Sequence, residues 1–94
     1  MPVLSNWHLI YIIMHTVIIG NPSSASYRET KKNLNHLDLK CSEKSILDDE
    51  SLAFKYKHCK MPVVEFYDED RLLAKNFGAL KVEDILHTIN VYGK

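Results

Sequence analysis

The side chains best equipped for chemistry in this 94-residue chain are two thiols, Cys41 and Cys59, and a serine pair, Ser23-Ser24, at the start of an expected helix. The thiols match neither a zinc-ligand pattern nor the cysteine density of a small secreted scaffold, so reduced thiols in a cytoplasmic protein are expected. Nothing in their placement brings the two within bonding reach of each other. The serines stand where a helix exposes its first backbone N–H groups, a position that binds anions and lowers the pKa of a thiol. A hydroxyl gains little there: it ionises at far higher pH than a thiol and forms no disulfide. It would also need an adjacent base to act as a nucleophile. The histidines, His8, His15, His36, His58 and His87, are scattered, so a Ser/His/acid hydrolase has no support. Two acidic clusters, Asp48-Asp49-Glu50 and Asp68-Glu69-Asp70, lack the glycine and distal glutamate of a calcium loop. They are read as helix-start and hairpin-turn chemistry rather than a metal site.

The elements that would hold these groups follow from periodicity. Thr16 to Ile19 is a short β-branched strand, and Gly20-Asn21-Pro22 breaks it. A helix from Ser24 to Leu37 places Tyr27, Thr30, Leu34 and Leu37 on one stripe, with Arg28, Lys31, Lys32 and Asn35 toward water. Ser23 or Ser24 supplies the N-cap oxygen. Leu37 to Cys41 alternates as a second, parallel strand. A second helix starts at Asp48-Asp49-Glu50 and runs to about His58, with Leu52, Tyr56 and Cys59 on its inner face. Val63 to Tyr67 and Arg71 to Lys75 form a hairpin ending at Phe77-Gly78. A last helix runs from Lys81 to about Tyr92 with Val82, Ile85, Leu86 and Ile89 on one face.

Ninety-four residues with 46% apolar content suffice for one domain with a modest core. Twelve basic and twelve acidic residues are interspersed, so no basic stripe marks a nucleic-acid binder. The apolar run from Leu9 to Gly20 is too short to span a bilayer. As a signal peptide it lacks an early Lys or Arg, is interrupted by His15, and would cost the domain its first strand on cleavage. Residues 1–13 are therefore read as an extension to a domain over 14–94. Its Trp7, Leu9, Ile10 and Ile12 need apolar cover, from the domain, a partner or a second copy in a homodimer.

The order βαβαββα, with these landmarks, resembles glutaredoxins, and above all the small NrdH-type redoxins of the thioredoxin superfamily. Their signature is a strand, Pro-x-Cys-x-x-Cys and a Thr-Lys-Lys-x-Leu-like run. Registered on Pro22 and on Thr30-Lys31-Lys32-x-Leu34, both cysteine positions are replaced, by Ser24 and Tyr27. Met61-Pro62-Val63-Val64 resembles the cis-proline motif of the superfamily, and Asn76-Phe77-Gly78-Ala79 resembles its closing segment. The resemblance covers Met14 to Val91. It implies a thioredoxin-like α/β fold of glutaredoxin type, with a four-stranded mixed sheet, and a partner groove lined by Ser24, Tyr27, Arg28, Met61, Pro62, Gly78 and Ala79. In these families the backbone beside the proline pairs with a partner's extended segment.

With both cysteines gone, the expected role is a redox-inactive, protein-binding or regulatory redoxin. Candidate partners are ribonucleotide reductase, RNA polymerase and protease machinery, and compact redoxins of this kind occur in bacteriophages that redirect host proteins. Tyr27 is expected to fill space beneath the turn and narrow the groove. Pro22-Ser23-Ser24-Ala25-Ser26-Tyr27-Arg28 also resembles the Pro-Ser-Cys-x-Ser-Cys-Arg loop of Spx regulators and arsenate-reductase-like proteins, although their insertions and cysteine are lacking. The alternative is a thiol–disulfide oxidoreductase whose nucleophile has been replaced at Ser24, or one that uses Cys59. Cys59 is the candidate reactive thiol because it lies just before Pro62; the plainer reading is a half-buried packing residue. No cofactor is expected, although Arg28 and Lys60 are placed as the family places its glutathione-binding cations.

Overall fold

The computed structural model describes residues 14–92, so the expected extension over 1–13 lies outside the described residues. The elements are β1 (Met14–Gly20), α1 (Ala25–His36), β2 (Lys40–Ser45), α2 (Glu50–Lys55), β3 (Val63–Asp68), β4 (Arg71–Phe77) and α3 (Val82–Tyr92). The four strands make one mixed sheet in the order β2-β1-β3-β4. β1 runs parallel to β2 and antiparallel to β3, and β3 pairs antiparallel with β4. This register gathers Gly20, Ser45, Val63 and Phe77 at one end of the sheet. Among the described residues no helix is long and apolar enough to cross a membrane.

Strand alternation sends residues to two faces. On one, Met14, Ile18, Tyr27, Leu34, Phe66, Ile85 and Ile89 are all at most 1% exposed and join β1 and β3 to α1 and α3. On the other, Val17, Ile19, Tyr56 and Val63 form a smaller cluster, with Leu52, Cys59, Met61 and Tyr67 packed at its margin. Two hydrogen bonds lock the approach of the last helix: the buried Leu80 N–H donates to Thr30 Oγ1 (3.1 Å), and Asn33 Nδ2 donates to the Leu80 carbonyl (2.8 Å).

Expected boundaries move at the second strand, which spans Lys40–Ser45 rather than Leu37 to Cys41, and at the second helix. The second strand begins at Lys40, not Leu37, because the chain closes α1 first. Asp38 takes a left-handed φ of 57°, Leu39 N–H bonds to the Leu34 carbonyl and Asp38 N–H to that of Asn35. This is a Schellman stop, completed by the contact of buried Leu39 with Leu34. The second helix ends at Lys55 rather than His58. Its Asp49 cap accepts from the Ser51 and Leu52 N–H groups, but after Tyr56 the chain tightens, with Lys57 N–H on the Phe54 carbonyl and Cys59 N–H on that of Tyr56. Cys59 therefore sits in a turn and not on a helix, although it still packs beside Leu52 and Tyr56.

Candidate functional site

The end of the sheet where β1 stops is closed by a convergence on Gly20. A Cβ at this position would lie 3.2 Å from Tyr27 Cδ2 and 3.3 Å from Pro62 Cβ, so glycine lets α1 and the Pro62 turn meet closely above the strand, and any larger residue would push one of them back by a few tenths of an ångström. The Met61–Pro62 peptide bond is cis. The Pro62 carbonyl accepts from Gly78 N–H (2.9 Å), joining the entry of β3 to the exit of β4. Gly78 has φ +101°, a conformation that favours glycine. The aliphatic stem of Lys60 lies across it, with Cδ 3.4 Å from where a Cβ would stand.

Ser24 occupies the N-cap of α1. Its hydroxyl accepts from Tyr27 N–H (3.2 Å), its own N–H donates to the Asn21 carbonyl (3.0 Å), and Ser23 N–H donates to Asn21 Oδ1 (2.9 Å). The hydroxyl thus works as a cap, the geometry that an N-terminal serine satisfies best.

Tyr27 lies beneath the turn as expected, but at 1% exposed it offers no surface to a groove. Its hydroxyl turns inward and donates to Glu43 Oε1 on β2 (2.8 Å), while Lys31 Nζ pairs with Glu43 Oε2 (2.9 Å). Burial, then the Glu43 carboxylate, pushes the Tyr27 phenol well above its usual value. Hydrogen bonds from Lys31 and then Tyr27 hold Glu43 below the ordinary carboxylate range. Tyr27 therefore fills the space beneath the turn and fixes α1 to β2.

The other expected site residues divide into two groups. Gly20 and hydrogen bonding bring Pro62 and Gly78 together, and half-buried Met61 and exposed Ala79 flank them in sequence. Arg28 is exposed on the first turn of α1 and makes no ion pair among the described residues. Cys59 is free and half-buried against the smaller apolar cluster. Cys41 is also free, and burial raises its thiol pKa, which disfavours the reactive thiolate.

Sequence reasoning missed three features here. Glu43 is the partner of Tyr27, sixteen positions away, and only the β1–β2 register brings it over. Phe77 is 47% exposed at the end of β4, its ring 6.5 Å from that of Tyr56. Behind it, Glu65 is 7% exposed on the α2 face and is matched by Tyr67 Oη (3.0 Å), Tyr56 Oη (3.4 Å) and Lys75 Nζ (3.5 Å). The lone acid in the run Val63-Val64-Glu65-Phe66-Tyr67 was the available signal for that network.

No protein-family model and no curated protein sequence matches the chain. Solved structures do. A thioredoxin from Fasciola hepatica superposes with a TM-score of 0.65 at 15% identity, covering 96% of this chain and 90% of its own. A mutant thioredoxin from Halobacterium salinarum gives 0.69 at 10% identity, over 87% and 76% respectively. Thioredoxin f2 of Chlamydomonas reinhardtii gives 0.65 at 15% identity, over 90% and 86%. The chain is a thioredoxin-like α/β domain: a four-stranded mixed sheet flanked by helices, with a capped helix start facing a proline turn.

Proposed function

We propose that this protein is a glutaredoxin-like, NrdH-type domain that binds another protein and does not exchange disulfides through its helix start. One observation carries the reading: Ser24 is spent on capping and Tyr27 is buried and tied to Glu43, while the Pro62–Gly78 corner beside them is intact. The thiol-bearing half of a redoxin site is replaced and the half that meets partners is kept. Natural redoxin clients, ribonucleotide reductase first and then RNA polymerase and protease adaptors, are the partners that such a surface would hold, in a bacterial cytoplasm and under bacteriophage control.

The test combines capture and catalysis. Immobilised protein should retain a specific partner from bacterial lysate, and Met61→Asp, which puts a charge at the half-buried margin of the corner, should release it. The protein should not reduce insulin disulfides with dithiothreitol, whereas the double variant Ser24→Cys, Tyr27→Cys should. Insulin reduction by the unaltered chain that is lost in Cys59→Ser would overturn the reading in favour of an oxidoreductase using Cys59. Failure to retain a partner, or retention indifferent to Met61→Asp, would overturn it as a binding module.

A further inference from the structure

Charge that is evenly mixed along the sequence is separated in space beside the corner. The segments that build this side of the site, residues 51–64 and 71–82, contain Lys55, Lys57, Lys60, Arg71, Lys75 and Lys81 and no acid. The acid between them that reaches this face, Glu65, is nearly buried and neutralised by Lys75. Lys55, Lys57 and Lys60 are exposed and make no ion pair among the described residues.

Contacts make this one continuous surface. Lys55 Nζ lies 5.2 Å from the Tyr56 ring centroid, that ring meets half-exposed Phe77, and Gly78 follows Phe77 with the Lys60 stem across it and the Pro62 carbonyl bonded to its N–H. Half-exposed Phe77 thus lies between the Tyr56 ring that Lys55 covers and the Gly78 backbone that the Lys60 stem crosses. The C-terminal end of α2 favours Lys55, but Lys57 and Lys60 lie beyond its Tyr56 cap and are not explained by the helix dipole.

Resting on the binding-module reading above, we propose that the Lys55–Phe77–Lys60 surface takes a short acidic segment of the partner protein, one with an apolar side chain set between carboxylates. The apolar side chain packs on Phe77 and the carboxylates meet the ammonium groups of Lys55 and Lys60. The acids of the protein favour a short segment over a long polyanion. Asp48-Asp49-Glu50 lies at the far end of α2 and Asp68-Glu69-Asp70 at the far end of the hairpin, so a nucleic-acid backbone running off the patch would meet like charge.

The experiment selects binders from a random peptide library displayed on filamentous phage, then measures the enriched peptides by fluorescence anisotropy beside a single-stranded oligothymidylate. Enriched peptides should be rich in Asp and Glu around a Leu, Phe or Trp, and their affinity should fall as salt rises. The double reversal Lys55→Glu, Lys60→Glu should weaken them on the order of tenfold or more. Lys32→Glu with Lys40→Glu, the same change of net charge on exposed positions of α1 and β2, should leave them unchanged. Enrichment indifferent to charge but lost in Met61→Asp would overturn the acidic occupant and leave the binding module standing. Tighter binding of oligothymidylate than of any peptide, lost in the Lys55/Lys60 reversal, would overturn it in favour of nucleic acid. No enrichment on the unaltered protein would overturn the acidic segment, and retention of a partner from lysate then decides the binding module by itself.

Discussion

The two faces of the sheet are built by different means. The face under α1 and α3 is apolar and deep: Ile18, Leu34, Phe66, Ile85 and Ile89 have no measurable exposure. The face under α2 is covered by a helix of six residues, none of them buried. It is completed by the polar network of Glu65, Tyr56, Tyr67 and Lys75, with His15 stacked on Tyr67 at 5.1 Å. The first face holds the turn at Ser24 and the Gly20 convergence in place. The second carries the lysine-bearing segment and Phe77, where sequence can vary without emptying the main core. A thioredoxin-like domain can therefore keep its fold through the first face while the residues of the second vary.

Truncation breaks the comparison most directly. Leu34→Ala, on the deep face, should cost about 2–5 kcal/mol in urea unfolding, whereas Leu52→Ala, at the half-buried margin of α2, should cost about 1 kcal/mol. Equal losses would show that the thin face contributes as much to stability as the thick one. Glu65→Ala should cost about 2–3 kcal/mol, at the lower end for a buried pair because Lys75 reaches water once freed. A cost near zero would show the network to be incidental to folding.

Smaller effects sharpen the contrast. Thr30→Val removes the acceptor of the buried Leu80 N–H and should cost about 1–3 kcal/mol, with hydrogen exchange rising first at Leu80. Tyr27→Phe deletes only the bond to Glu43, whose carboxylate is partly open to water, and should cost about 1 kcal/mol.

The dependence on pH differs in sign between Glu43 and the Lys75–Tyr67 pair, while Tyr27, on the first face, is raised as that pair is. Glu43 is held down by Lys31 and Tyr27, so its contribution is complete above the ordinary carboxylate pKa and is lost as pH falls through its lower folded value. Lys75 is raised, first by the Tyr56 hydroxyl, and Tyr67 is raised by burial and Glu65. Their contribution is complete below the unfolded pKa values and is lost as pH rises through the folded ones. Glu43→Gln should therefore flatten the acid limb of a stability curve and leave most of the alkaline limb, which Lys75→Met should reduce instead.

Much of this was legible in the chain itself because it rests on local pattern. Alternation in Val63 to Tyr67, the Tyr27-Thr30-Leu34 stripe, the serine cap, the acids before α2 and the glycine after β4 each declare an element through residues a few positions apart. The element order and the mixed sheet followed from them. What tertiary structure alone decided depends on register across strands and on where the chain turns back. The Schellman stop delayed β2 to Lys40, and the turn after Tyr56 took Cys59 off its helix. The pairing of β1 with β2 brought Glu43 to Tyr27, and the hairpin brought Phe77 against Tyr56 between Lys55 and Lys60. Periodicity assigns a side chain to a face; its partner there is chosen by segments far away in sequence.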